Sequence, residues 1–372
     1  MIKMRKLIFT TLLMAFAASS LQAATPLEKL RSRLEKFQKK GIMIGHQDDP
    51  LYGTNWHYDE GRSDVKEVCG DYPAVMGFEI GNIELDSLRN LDGVPFDRMK
   101  MEIVAHHLRG GIVTISWHAN NPVTGKNAWD PTGNPVRELL PRGSQNAKFK
   151  KWINRVAVFL NSLKTRRGEA VPVIFRPWHE MSGGWFWWGK DSCTPEEYKE
   201  LFEYTIQLLR SNGINSCLYC YSPGGTPGET EANYLKYYPG DKLIDVLGVD
   251  VYAGADKDKY IREVRDELTV MTKYAKEHEK IACLSETGYR NTPDPFWFTT
   301  AMWNAVKDFR ISYVLLWRNA WNQPEENFGP APDKTCAEDF VNLHSFKETL
   351  FLQDVSKKKF QQFKMHMKSQ TP

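Results

Sequence analysis

Eight times along this chain, a short run of β-branched, aromatic and other apolar residues gives way to a polar or glycine-rich stretch. The runs are GIMIGHQ (41–47), AVMGFEIG (74–81), GIVTISWH (111–118), PVIFRPWHE (172–180), SCLYCYSP (216–223), IDVLGVDVY (244–252), IACLSETG (281–288) and SYVLLWRN (312–319). Between them lie segments such as LEKLRSRLEKFQKK (27–40), FKKWINRVAVFLNSLK (149–164) and PEEYKELFEYTIQLLRSNG (195–213), whose apolar residues recur every three or four positions. That period marks one face of a helix, whereas a near-continuous apolar run marks a strand buried on both faces. Thr194 ahead of Pro195 and two glutamates predicts a helix start, and Gly213 its end. Strand then helix, eight times over, is the pattern of an α/β fold of the (β/α)8 TIM-barrel type. No G-x-G-x-x-G follows the first run, which argues against an open doubly wound sheet. No Pro-, Gly- or Ser-rich linker divides the 372 residues, so a single domain over 25–372 is expected.

The first 24 residues, MIKMRKLIFTTLLMAFAASSLQAA, read as a signal peptide: a positive start, an apolar run from Leu7 to Ala18, and a small-residue cleavage site after Ala23 or Ala24. That run is shorter than the roughly 20 residues a membrane span needs, so no stable membrane association is expected. No cysteine near the cleavage site points to a lipid anchor. The expected location is therefore outside the cytoplasm, periplasmic or secreted. Losing Lys3, Arg5 and Lys6 would take the formal charge from +3 to 0, leaving no basic patch that argues for nucleic acid. The basic tail SKKKFQQFKMHMK (356–368) reads as a solvated helix face. Export permits disulfides among the six cysteines, although a chain of this length does not need them. Cys217 and Cys220 stand three apart in a strand-like run, on opposite faces, which argues against a redox pair or zinc knuckle. Spacings such as HExxH are absent, and neither metal nor organic cofactor is expected.

In a barrel of this kind, active sites form at the C-terminal ends of the strands. Those ends carry His46-Gln47-Asp48-Asp49, Glu79 and Asn82, Trp117-His118 and Asn120, Arg176 with Trp178-His179-Glu180, Asp250 and Tyr252, Glu286, and Trp317-Arg318-Asn319. Long connections follow strand one (51–61), strand three (120–142) and strand four (185–193). Asp48 and Asp49 have a plain reading as turn residues before Pro50. Glu180 and Glu286 end strands four and seven, so both reach one mouth. A retaining glycosidase needs such a pair about 5–5.5 Å apart, one carboxyl as acid/base and one as nucleophile. Trp185, Phe186, Trp187 and Trp188 would give Glu180 the water-poor setting that keeps a carboxyl protonated, and one ring would carry the flat face of a sugar. Tyr252 and Arg176 are candidates to hold Glu286 ionised.

These segments resemble glycoside hydrolase family 26, chiefly β-mannanases, in the manner of a Bacteroides-type periplasmic member. The carriers are GHQDDPLYGTNW (45–56), SWH (116–118), RPWHEMSGGWFWWG (176–189), VDVY (249–252), SETG (285–288) and LLWRN (315–319), in order over roughly 25–350. The resemblance implies a barrel with catalytic glutamates on strands four and seven and retention of anomeric configuration. It implies Glu180 as acid/base, Glu286 as nucleophile and Tyr252 as its hydrogen-bond donor. His179 would steady the acid/base. His118, Trp185 and Trp317 would line the subsite of the sugar under attack, and Arg318 with Asn319 would reach the next sugar outward. With Arg176, these make up the expected substrate-facing set. The implied substrates are β-mannan polysaccharides or manno-oligosaccharides, cleaved at β-1,4 linkages, with mannobiose release a further expectation. A β-1,3-xylanase, a mixed-linkage glucanase or a non-cutting mannan-binding barrel are the alternatives.

Overall fold

The computed structural model describes residues 24–226 and 228–356. All but the last residue of the leader-like segment, and the basic tail beyond Ser356, lie outside the described residues.

Each apolar run forms a strand of one curled parallel sheet. In chain order these are β1 (Ile42–Gln47), β2 (Val75–Glu79), β3 (Ile112–Trp117), β4 (Val173–Pro177), β5 (Cys217–Tyr221), β6 (Val246–Leu247 and Asp250–Ala253), β7 (Ile281–Ala282 and Leu284–Tyr289) and β8 (Tyr313–Leu316). β1 pairs with β2 on one side, Gly45 opposite Val75, and with β8 on the other, Met43 opposite Tyr313, so the first and last strands meet. β6 and β7 each carry a break. Their first halves pair with each other and follow β5, and their second halves pair and follow β8. Since each half continues into the other along the chain, the sheet closes into the expected (β/α)8 barrel.

The continuous apolar character of the runs has a direct cause: both faces of most strands are buried. Met43, Val75, Ile112, Ile174, Leu218, Cys220, Val246, Ile281, Cys283 and Tyr313 form one cluster with Leu30, Leu34 and Phe37, while Ile44, Met76, Phe78, Val113, Ile115, Val173, Phe175 and Cys217 pack in a second. Alternation along a strand separates barrel interior from the helix-facing side. Leu30, Leu34 and Phe37 come from the first helix, Pro26–Phe37, which thus joins the interior cluster. Cys217 and Cys220 fall in different clusters, and all six cysteines are free thiols.

The three helices read from periodicity occur at Pro26–Phe37, Asn146–Ser162 and Pro195–Ser211. At the last, Thr194 accepts from the Glu197 amide while Glu197 returns a bond to the Thr194 amide, satisfying two otherwise orphaned donors. The repeat is less regular elsewhere. Among the described residues after β5 there is only the single turn Glu231–Tyr234, and after β7 the chain enters as a π-helical turn, Phe298–Met302, before Trp303–Val306. Among the described residues, no helix is long and apolar enough to cross a membrane.

Candidate active site

Glu180 follows β4 through two residues in left-handed backbone conformation, Trp178 (φ 55°) and Glu180 itself (φ 56°). A bulky residue there costs of order 1–3 kcal/mol and persists only where its surroundings over-determine it. They do. The Trp178 indole donates to Thr205 Oγ1 at 3.0 Å, and its carbonyl accepts from the Tyr198 hydroxyl at 2.7 Å. The Glu180 amide donates to the Ser222 carbonyl at 2.7 Å, and its carbonyl accepts from Gly183 at 3.0 Å. The chain is bent so that the half-buried Glu180 side chain turns into the mouth.

Glu286 lies on β7 opposite Asp250 of β6. The Arg176 guanidinium joins the two, donating to Asp250 Oδ2 at 2.8 Å and to Glu286 Oε1. The Tyr252 hydroxyl donates to Glu286 Oε2 at 2.7 Å. Asp250 Oδ1 accepts from Ser222 at 2.7 Å and Ser285 at 2.6 Å. One carboxylate oxygen each from Glu180, Asp250 and Glu286 lie within 4.8 Å of one another. A three-carboxylate cluster can hold a cation, but this one is already built around a guanidinium, whose charge would oppose a metal ion at the same place.

The electrostatic settings differ. Burial, then the neighbouring Asp250 and Glu286 carboxylates, push Glu180 well above the usual carboxyl range, against the opposing Trp185 indole N–H and Arg176. Burial also raises Asp250, opposed by Arg176 and the two serine hydroxyls. Tyr252 is pushed up by burial and by Glu286 and Glu180, so it stays a phenol and a donor.

Behind these lies a second charged chain. The buried Glu79 carboxylate accepts from the Gly81 amide (2.6 Å), the Ser116 hydroxyl (2.6 Å), the His118 amide (2.8 Å) and His118 Nδ1 (2.8 Å). Burial alone would raise Glu79, but His118 and these donors bring it below its ordinary value. Burial likewise disfavours a charged His118, and the Glu79 carboxylate outweighs it, raising His118. His179, buried beside Arg176 and His118, is held well below its usual range and stays neutral. The 3.1 Å contact between the two Nε2 atoms is then His118 donating to His179.

The expected substrate-facing residues divide in two. Trp185 is 47% exposed and its indole donates to Glu180 Oε2 at 2.7 Å. A β-carbon at Gly183 would lie 2.2 Å from Trp185 Cη2, which is why a glycine precedes the aromatic run. Trp317 is half-buried, 6.1 Å from the His118 ring. Arg318 pairs with Asp92 at 3.0 Å, which with Asp48 accepts from the Tyr52 hydroxyl. His118 and Tyr252 also border the mouth.

Arg176 and His179, each 1% exposed, stand behind it and touch its lining through Glu286 and His118. Asn319, 1% exposed, is spent on structure. Its Nδ2 donates to Asp64 Oδ2 and the Pro330 carbonyl, and its Oδ1 accepts from the Phe328 and Gly329 amides, leaving no atom for a sugar.

Of the four aromatics, Phe186, Trp187 and Trp188 are buried. The Trp187 indole bonds to the Ala119 carbonyl and that of Trp188 to the His179 carbonyl, so they brace the loop, and Trp185 alone among them reaches solvent. Nor are Asp48 and Asp49 plain turn residues: both are fully buried, Asp49 against His46 Nδ1 at 2.8 Å.

Four residues without an assigned role stand in or beside this constellation. Asp250 and Glu79 carried a signal, a carboxylate inside an otherwise apolar strand. Asp92 had none, lying in a loop of no clear pattern. Trp129, half exposed in the long loop after β3, faces His118 nearly parallel at 5.4 Å.

Fold and site define a class: a (β/α)8 barrel with paired carboxyl groups at the strand ends, the architecture of a glycoside hydrolase. Residues 20–327 match glycosyl hydrolase family 26, and the chain belongs to that family. It is similar to a solved family 26 β-mannanase from Bacteroides ovatus, with 44% identity, a TM-score of 0.87, and coverage of 89% of this chain and 96% of that one. The catalytic domain of a family 26 endo-β-1,4-mannanase from Bacillus sp. JAMB-750 aligns at TM-score 0.83 and 30% identity, over 91% of this chain and 94% of that one. A mannan endo-1,4-beta-mannosidase of Bifidobacterium adolescentis is 33% identical over 279 residues, 73% of this chain but only 28% of that protein. The chain thus spans little more than a quarter of that relative's length.

Proposed function

We propose that this chain is a retaining glycoside hydrolase that cleaves β-1,4-mannosidic linkages in mannans or manno-oligosaccharides. The observation that carries this is the approach of Glu180 and Glu286 to within 4.8 Å, oxygen to oxygen, with their surroundings set apart. The spacing suits a nucleophile and an acid/base with no water between, whereas inversion needs about 6.5–9.5 Å. The β-1,4-mannan specificity is supported by the names of the similar proteins.

In this reading Glu286, aligned by Arg176 and Tyr252, attacks the anomeric carbon. Glu180, kept protonated by its surroundings, passes its proton to the departing glycosidic oxygen. A glycosyl–Glu286 ester and a shortened sugar result. Glu180, now a carboxylate, takes a proton from water as it attacks the ester, restoring both groups. In this reading the rings of His118, Trp129 and Trp317, which stand beside one another, would face the attacked sugar.

Reducing ends released from mannan, xylan and mixed-linkage glucan test the reading. Mannan should be cut far faster than the other two, and Glu180→Ala and Glu286→Ala should each remove most turnover. Equal activity on all three, or a fully active alanine variant, overturns it. Mannobiose as the main early product belongs to the same proposal. It is supported by the Arg318–Asp92 pair, which ties the loop after β8 to that after β2 at one side of the cleft; a ladder of longer early products would remove it. Export rests on the leader-like first 24 residues, and the N-terminus of the mature protein tests it.

A further inference from the structure

The helix Lys257–Glu277 turns Tyr260, Val264, Leu268 and Met271 inward, and in the same buried stripe stands Glu267, fully buried. Among the described residues, no cation pairs with it. Its Oε1 accepts from the Thr226 amide, and its Oε2 has no hydrogen-bond partner. A carboxyl in this position is costly unless it secures something.

What it secures is the turn after β5. Gly224 and Gly225 lie against β6, with the Gly225 amide donating to the Asp250 carbonyl at 2.8 Å and the Asp250 amide to that of Pro223 at 3.0 Å. Ser182, two residues beyond Glu180, donates to the Gly224 carbonyl at 2.7 Å. The Trp185 indole rests on the same glycine: a β-carbon at Gly224 would lie 3.4 Å from its Cζ2. Trp185 in turn donates to Glu180 Oε2. The turn is therefore gripped from behind by Glu267 and carries on its front the ring that orients the carboxyl.

We propose that Glu267 is a positioning residue for proton transfer by Glu180, acting through the Gly224–Thr226 turn and Trp185. The proposal rests on the reading of Glu180 as acid/base. Burial, with Glu229, Asp266 and Glu263 nearby and the Thr226 amide opposing, pushes Glu267 up to about 8. It is therefore mostly a neutral acid at pH 7, and glutamine mimics its shape and its acceptor.

The test compares kcat/KM on two substrates: manno-oligosaccharide, whose leaving sugar needs a proton, and 2,4-dinitrophenyl β-mannobioside, whose leaving group does not. Glu267→Leu should lose about tenfold on the first, a fraction of the 10²–10⁴-fold that a positioned acid supplies, and keep within about threefold on the second. Ser182→Ala, which frees the other side of the same turn, should show the same asymmetry and decides the matter should the leucine variant not fold. Glu267→Gln should match the native protein on both. In a Trp185→Phe background, Glu267→Leu should add little, because both act along one path. Equal losses on the two substrates, no loss, or a glutamine variant as impaired as leucine overturns the proposal. Failure of the unaltered protein to cleave either substrate would instead refute the functional reading.

Discussion

The indole nitrogen of Trp185 and Oε2 of Glu180 stand 2.7 Å apart, so the one exposed ring of the aromatic run is bonded to the carboxyl that the proposed mechanism protonates and deprotonates. An N–H aimed at a carboxylate favours the charged form. Trp185→Phe keeps the flat surface and removes the N–H, so Glu180 should hold its proton to higher pH. The basic limb of kcat/KM, which reports the acid of the free enzyme, should move upward. A limb that stays or moves down would show that the bond is not formed in the working protein.

Asp250→Asn should move the same limb the other way. The Asp250 carboxylate is one of the charges that raise Glu180, and its removal makes ionisation of Glu180 easier. The same change leaves buried Arg176 with Glu286 as its remaining ion-pair partner. Breaking a buried pair costs about 3–5 kcal/mol, although the amide oxygen still accepts from Ser222 and Ser285 and should soften the loss. Urea unfolding gives the stability, and the pH profile gives the sign. A variant as stable as the native protein, with an unmoved limb, would contradict both statements.

Asn319 ties two distant segments together: Asp64 on one side, and the Phe328–Gly329 amides with the Pro330 carbonyl on the other. Asn319→Ala should lower stability by about 3 kcal/mol, since each buried group left unpaired costs roughly 1–3 kcal/mol. Chemical denaturation measures the loss, and a variant as stable as the native protein would return Asn319 to the cleft.

What could be read from the sequence follows from what each residue's neighbours in the chain reveal. The barrel was legible because most strands are buried on both faces and so announce themselves as apolar runs, and the meeting of Glu180 and Glu286 at one mouth was legible because both end such runs. Trp185 and Trp187 stand two apart in one motif, yet one is a mouth residue and the other a core strut. Trp187 is held inside by its indole bond to the Ala119 carbonyl, far back along the chain, and no spacing rule foresees that partner. The family resemblance implied a sugar contact for Asn319, next to Arg318 at a strand end. Its partners come from the chain's beginning, at Asp64, and from a loop ten residues on, so only folding brings them together. Asp92 escaped notice for the same reason: its meaning lies in Arg318 and Tyr52, far away along the chain.

His106 sets a limit on acid tolerance. It is fully buried, its Nε2 faces the Ala74 carbonyl at 3.3 Å, and Nδ1 has no partner. Burial, then nearby Arg109, lowers it from 6.5 to about 3, so the folded protein keeps it neutral where the unfolded chain would protonate it. For a base whose folded value is depressed, the unfolded state binds the extra proton, and stability falls as pH falls from 6.5 toward 3, by at most about 1.4 kcal/mol per unit. Glu79, held low by His118, adds a loss of the same sign at lower pH, so the His106 share must be isolated by difference. His106→Leu removes the titrating ring, and the Ala74 carbonyl still accepts from the Ile112 amide at 2.9 Å. The variant should be the less stable protein at pH 7, because the site is shaped to imidazole: a β-carbon at Gly111 would lie 1.9 Å from Nε2. Its disadvantage should shrink steadily as the pH of the urea melts is lowered from 7 to 4. Curves that run parallel over that interval would mean that His106 takes up its proton in the folded state as readily as in the unfolded one.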